Sequence, residues 1–396
     1  MKRIYEELKG MDVAALTAEM VRIPSYSFME NQEDAISQYI LDFFRKEGID
    51  AYRYEIEPGR FNVVGILHGE APDAGNSLML SGHLDTVGAY DFAEAFEGKM
   101  DAEYVYGRGS CDMKGPLAAM MAAMAAVHRS GVKLKGDLVF YGVSDEEEMG
   151  LGAKAMIERG PMTSAAIIGE PTDLRVAVGH KGIEWIEATF HGTKVHGASE
   201  EQGVNAIASA AKFVCKIESE YKPVLRSRQH PLLGRPTINV GTITGGDQPS
   251  TVPDLCKVRM DRRCIVGETI PQVYGELEAI LEELRAQDPT FRGEIRDVFD
   301  GQTLPHEPFC TDAGEPIVRA AVKAVETRGV SGELTAFKAW ADSGFMAAAG
   351  DCKCIVLGPG ELSVAHSTRE KVSIAELNKA AEIYADVALQ YCGRSN

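Results

Sequence analysis

The chain has 396 residues, of which 25% are charged, and a formal net charge of -18. That length exceeds the size at which one hydrophobic core stops growing, so two domains are expected; the acidity excludes nucleic acid and an anionic membrane surface as partners, because neither attracts a negative field. Eight scattered cysteines without a C-x-x-C pair exclude a disulfide framework and a zinc ribbon, and reduced thiols fit a cytoplasmic protein.

The opening stretch "MKRIYEELKGMDVAALTAEM" alternates charged and apolar residues at helical spacing and lacks the apolar region and small-residue cleavage site of a secretion signal. A helix ("NQEDAISQYILDFFRKEG"), two strands ("AYRYEIE", "FNVVGILHG") and a strand of continuous apolar character ("SLMLSGH") follow. "GPLAAMMAAMAAV", residues 115–127, is too short to span a bilayer and suits a helix buried against a sheet. Strand "DLVFYGVS", helix "LGAKAMIERG" and strand "AAIIGE" continue the alternation. Apolar strands alternating with helices predict an α/β domain, a mostly parallel sheet with helices on both faces.

From about residue 180 the pattern changes. "GIEWIEATFHG" alternates as a half-exposed strand does. A helix from about Val204 to Ser219, strands "TINVGTITGG" and "LCKVRMDRRC", an amphipathic helix "TIPQVYGELEAILEELRAQ" and a strand "RGEIRDVFD" complete a β-α-β-β-α-β order. That order is the split arrangement of a ferredoxin-like α+β unit. Residues 180–301 are therefore expected to form an inserted domain. Residues 1–179 and 302–396 are expected to form a discontinuous α/β domain, completed by helix "EPIVRAAVKAVETRG", strand "CIVLGPG" and helix "SIAELNKAAEIYADVALQYC".

Acidic and imidazole groups stand at the ends of the apolar strands: His83 and Asp85 in "SGHLDTVG", Glu146 and Glu147 in "VSDEEEMG", Glu170 in "IIGEPTD". Asp112 precedes the apolar helix in "GRGSCDMKG", and His366 follows the last strand in "GPGELSVAHS". Open α/β sheets bind ligands at the carboxyl ends of their strands, so these side chains are predicted to converge. Carboxylates so crowded repel one another unless a cation sits among them. A pair of divalent metals needs two or three such ligands per ion, with one carboxylate shared. Nitrogen and oxygen ligands without thiolate suit zinc, with cobalt and manganese as the other candidates. Gly358 and Gly360 in "GPGE" are read as letting backbone amides approach a substrate, Glu148 as a solvated carboxylate and Cys111 as a small buried residue.

Together with "YGRGSCDMKGPLAAM", "SDEE", "GEPT", "VHGASEEQGVNAI" and "DRRCIVGE", these motifs resemble the M20 metallopeptidases and amidohydrolases over nearly the whole chain. That family includes acetylornithine deacetylase, succinyl-diaminopimelate desuccinylase, aminoacylase and glutamate carboxypeptidase. The resemblance implies a zinc-peptidase-like catalytic domain in which His83, Asp112 and Glu170 hold one metal and Asp112 bridges to a second held by Glu147 and His366. Glu146 is then the general base. Asp85 supports His83, because an H-x-D spacing puts both side chains on one side of an extended segment, where the carboxylate can accept the second ring N–H.

From the inserted domain, Arg263 matches the family's D-x-R-x-x-x-G arginine and is expected to clamp a substrate carboxylate, and Asn239 in "INVG" to contact substrate. Ser250 stands where many relatives have asparagine. The family's inserted domain pairs two subunits, and His196 matches a histidine that reaches the partner's site to hydrogen-bond the developing oxyanion. The implied activity is removal of an acyl group from an N-acyl amino acid by a homodimer. A carboxypeptidase or dipeptidase on the same site is the alternative, and a catalytically silent metal-dependent binding protein a further one, against which Glu146 and the complete ligand set argue.

Overall fold

The computed structural model describes residues 2–72, 76–350 and 352–394. The chain divides into two compact units, one of residues 1–179, 310–337 and 341–396, the other of 180–309 and 338–340. The second unit thus runs past the boundary expected at 301 and takes in a short later segment.

The first unit is built on a nine-stranded sheet. Its centre is parallel: Leu138–Val143, Leu78–His83, Ala165–Ile168 and Lys353–Val356 lie side by side in that order. The first three are buried along their whole length, which is why they read as unbroken apolar runs rather than alternating ones. Antiparallel strands flank this centre, Asp50–Glu57 and Arg60–Leu67 on one side and Ala177–His180 on the other. The helix Lys114–Arg129 is buried from Lys114 to Val127 and packs on the strands Leu78–His83 and Leu138–Val143 and on the helices Val13–Val21 and Ile374–Tyr391. Its alanines let neighbours on all sides come close, and its methionines fill the irregular gaps that remain. No helix of the described residues is long and apolar enough to cross a membrane. A small sheet of Lys371–Ser373, Tyr104–Tyr106 and Lys99–Met100 was not anticipated, since strands of two or three residues carry no readable period.

In the second unit the strands Thr237–Gly245, Leu255–Cys264, Gly182–His191 and Arg292–Asp297 form an antiparallel sheet in that spatial order, the ferredoxin-like arrangement. Alternation along Leu255–Cys264 sends Cys256, Val258 and Met260 into a core with Ile186, Ala188, Phe190, Phe213, Leu277 and Leu281. Lys257, Arg259, Asp261 and Arg263 take the opposite face by the same two-residue period. There Glu187, its side chain 1% exposed, accepts hydrogen bonds from Lys257 at 3.0 Å, Arg259 at 2.8 Å and Arg296 at 2.9 Å. The helix expected to end near Ser219 continues through a π turn at Ile217–Tyr221 to Ser227. Thr237–Gly245 is an edge strand, and most of its residues are exposed.

Candidate metal centre and active site

The parallel strands end side by side, and the residues that follow them meet at that edge. His83 closes its strand, Glu146 and Glu147 lie in the turn after Leu138–Val143, and Glu170 lies just beyond Ala165–Ile168. Asp112 comes from the turn before the buried helix, and His366 from the loop after Lys353–Val356. His83 Nε2 is 3.0 Å from Asp112 Oδ1 and 3.8 Å from Glu170 Oε1. His366 Nε2 is 3.2 Å from both Asp112 Oδ2 and Glu147 Oε1. Asp112 therefore presents one oxygen to each imidazole. One ligand atom each of His83, Asp112 and Glu147 fall within 4.8 Å of one another.

The H-x-D pair works differently from the expectation. His83 Nδ1 lies 2.9 Å from the backbone carbonyl of Asp85, which can only accept, so Nδ1 carries a proton and Nε2 faces the carboxylates. The Asp85 carboxylate stands 3.7 Å from Nδ1 and instead accepts the backbone N–H groups of Glu146 at 3.2 Å and Glu147 at 3.0 Å. The peptide carbonyl already satisfies the ring, and these two N–H groups of the glutamate turn find their partner in the carboxylate. Asp85 thus orients the ring through its main chain and the two glutamates through its side chain.

Burial pushes Glu146 and Glu170 well above the usual carboxylate range; His83 opposes the shift, and neighbouring carboxylates add to it. Asp112 is held low despite its burial, because both imidazoles hydrogen-bond to it. Hydrogen bonds to Asp112 and Glu147 push His366 up to about 10, and His83 is raised despite burial by its bond to Asp112 and the charges of Glu146, Asp112 and Glu170. Two imidazoles, His83 and His366, therefore stand among four carboxyl groups, those of Asp112, Glu146, Glu147 and Glu170. A divalent cation among them would offset the repulsion of the crowded carboxyl groups, and in this respect the mixed nitrogen and oxygen donor set fits a metal site.

Several neighbours escaped the sequence reading. Arg60 reaches Asp145 at 2.7 Å and grips Glu33 with two further nitrogens, Nε at 2.8 Å. Asp145, at φ 70°, starts the turn that carries Glu146 and Glu147. Asp342 is buried, and burial pushes its carboxyl up to about 7, with His83 opposing the shift and Asp85 and Asp145 adding to it. Of these, Asp145 had a signal, since it adjoins the glutamates in "SDEEE"; Arg60, Glu33 and Asp342 stand in ordinary contexts.

Gly358 and Gly360 require correction. The N–H of Gly358 donates to Thr172 Oγ1 at 3.2 Å and that of Gly360 to Glu376 Oε2 at 2.8 Å, so neither amide is open to a substrate. Gly358 is a glycine because a Cβ there would sit 2.0 Å from the carbonyl oxygen of Gly169. Cys111 is buried and Glu148 exposed, as expected.

The remaining expected residues lie in the second unit. Arg263 holds Asp261 with two nitrogens, at 2.8 and 3.0 Å, so its fork is already engaged. Asn239 is exposed and pairs with Asp261 across the strands, which puts Asn239, Asp261 and Arg263 on one face of the sheet. His196 is exposed and caps the short turn Gly197–Gln202, its Nδ1 accepting the N–H of Ala198 at 3.1 Å. Ser250 accepts the N–H of Gly197 at 2.8 Å through its backbone oxygen, which ties its loop to that of His196.

The family model described as peptidase family M20/M25/M40 matches residues 79–390. The chain is 29% identical to an N-formyl-4-amino-5-aminomethyl-2-methylpyrimidine deformylase of Halalkalibacterium halodurans, over 96% of this chain and 94% of that protein. It is 32% identical to an acetylornithine deacetylase of Myxococcus xanthus, over 84% of this chain and 85% of that one. The fold is shared with aminopeptidase PepT of Bacillus cereus, at a TM-score of 0.77 and 21% identity over 96% of this chain and 98% of that chain. It is shared too with the YXEP protein of Bacillus subtilis, described as a dinuclear metal binding peptidase, at 0.73 and 15% over 98% of each chain. With a family match across most of its length, this chain belongs to the M20/M25/M40 peptidase family and is a hydrolase of amide bonds.

Proposed function

We propose that this protein is a dinuclear-metal deacylase that removes a short acyl group from a small N-acyl amine, above all an N-acyl amino acid. The observation that carries the reading is Asp112, with one oxygen toward His83 and the other toward His366. His83, Asp112 and Glu170 would hold one ion, and Asp112, Glu147 and His366 the other. Zinc, cobalt or manganese bound there supplies Lewis acidity to the scissile carbonyl and acidifies water. Glu146 takes the proton from the attacking water and delivers it to the leaving nitrogen. Asp85 keeps that glutamate in register by holding its backbone N–H.

His196 supplies the oxyanion donor: with Nδ1 accepting from Ala198, the proton of the neutral ring sits on Nε2, free to be given. We read it as acting in the partner subunit's site of a cytoplasmic homodimer joined through the second unit. The exposed edge strand Thr237–Gly245 and the 39% exposed Ile207 support that pairing. Arg263 meets a substrate carboxylate by exchanging it for Asp261, with Asn239 beside it on the same face.

The activities for which the two relatives are named share one chemistry, loss of a formyl or acetyl group from an amine. The test is a panel of formyl, acetyl and succinyl amino acids, N-formyl-4-amino-5-aminomethyl-2-methylpyrimidine and short dipeptides, with zinc, cobalt or manganese supplied and amine release recorded. Short acyl amides are expected to be turned over best. Faster cleavage of the dipeptides would make the protein a peptidase, and no cleavage of any member would remove the proposal.

A further inference from the structure

Glu370 follows His366 by four residues and is wholly buried. Its Oε1 accepts three backbone N–H groups of the turn that delivers Asp112, from Gly109 at 2.9 Å, Cys111 at 3.1 Å and Asp112 itself at 3.1 Å. Its Oε2 pairs with Arg108, 1% exposed, whose Nε donates in turn to the carbonyl of Gly88 at 3.2 Å. The N–H of Gly107 donates to the Glu370 carbonyl at 3.2 Å, and just beyond it Lys371 pairs with Tyr106 as the strands zip antiparallel. One carboxylate therefore joins the loop of His366, the turn of Asp112 and the segment after His83 and Asp85.

We infer that Glu370 is a positioning residue that sets where Asp112 stands between the two imidazoles, and through it the geometry in which a metal pair is held; this rests on the ligand assignment proposed above. The physical reason is that the Asp112 turn is irregular and buried. The N–H groups of Gly109, Cys111 and Asp112 share Glu370 Oε1 as acceptor, so that oxygen holds the path of the chain into Asp112. Because that acceptor belongs to the segment that also carries His366, both contacts of Asp112 are referred to one anchor. Losing the anchor lets the shared ligand drift from both histidines together.

The experiment uses two variants. Glu370→Gln keeps an acceptor oxygen and loses the charge. Glu370→Ala with Arg108→Met removes both members of the buried pair, so that no lone charge is left behind to unfold the protein. Each protein is loaded with cobalt, and its metal content, visible spectrum and cobalt affinity against a competing chelator are measured beside kcat and KM. In the double variant cobalt affinity is expected to fall about 10- to 100-fold, the usual consequence of losing a partner behind the ligands. The spectrum should change and kcat should fall more than KM rises, with Glu370→Gln lying between the double variant and wild type. Two cobalt ions bound with wild-type affinity and spectrum in either folded variant would overturn the inference. If wild type itself takes up fewer than two ions, the dinuclear reading fails first, and this inference with it.

Discussion

Replacing Arg60 by alanine strips the counter-charge from two buried carboxylates, Glu33 with a side chain 0% exposed and Asp145 at 3%. Breaking a buried pair in this way costs about 3–5 kcal/mol, and the 18% exposure of Arg60 argues for the lower end. At roughly 2–4 °C per kcal/mol for a unit of this size, the melting temperature should fall by roughly 6–12 °C. The deficit should also depend on pH. Burial already pushes Glu33 up to about 7, with Arg60 opposing the shift and Asp85 and Asp145 adding to it, so Arg60→Ala moves it higher still. An acid whose folded pKa exceeds its unfolded one binds its proton more tightly when folded, so stability falls as pH rises toward the folded pKa. In wild type that loss ends near 7; in the variant it continues above. Melts followed by near-ultraviolet circular dichroism from pH 5 to 9 should therefore show a deficit that grows with pH. Arg60→Ala combined with Glu33→Gln should recover part of it at high pH. A variant that melts with wild type throughout, or whose deficit shrinks as pH rises, refutes the reasoning.

Chelation should abolish amide hydrolysis, and zinc, cobalt or manganese should restore it; full turnover with no metal detectable by elemental analysis would contradict the proposed centre. Glu146→Ala should keep both metals and lose about 10²–10⁴ in kcat, as expected for removal of a general base; loss of an ion instead would mean that Glu146 and Glu147 exchange roles. Gly358→Ala forces a Cβ to within 2.6 Å of the Glu170 carbonyl oxygen, so cobalt affinity and melting temperature should both drop, by about 1–3 kcal/mol in stability; unchanged values would show that this strand end yields easily. Mixing Glu146→Ala subunits with His196→Ala subunits under exchange conditions should regain activity, since one site per mixed dimer keeps both groups; mixed dimers as inactive as their parents would place His196 in its own subunit's site or outside the chemistry.

Much of this protein was legible in the chain itself. Unbroken apolar runs such as "SLMLSGH" announced strands covered on both faces, and acids and imidazoles just past those runs announced a site at the strand ends. The alternation of "LCKVRMDRRC" within a β-α-β-β-α-β order announced the second unit. These are local properties: residue type and a period of two or 3.6 depend on neighbours along the chain. Tertiary structure decided what each polar group does. It gave the ring of His83 the Asp85 carbonyl and left the carboxylate to the glutamate turn, closed the amides of Gly358 and Gly360 to substrate, and set Arg263 on Asp261. It also supplied the partners that no motif marks, Arg60 for Glu33 and Asp145, and Arg108 for Glu370, 262 residues away. A buried charge takes whichever opposite charge the fold brings beside it, and a separation of that length leaves no periodic trace in the sequence.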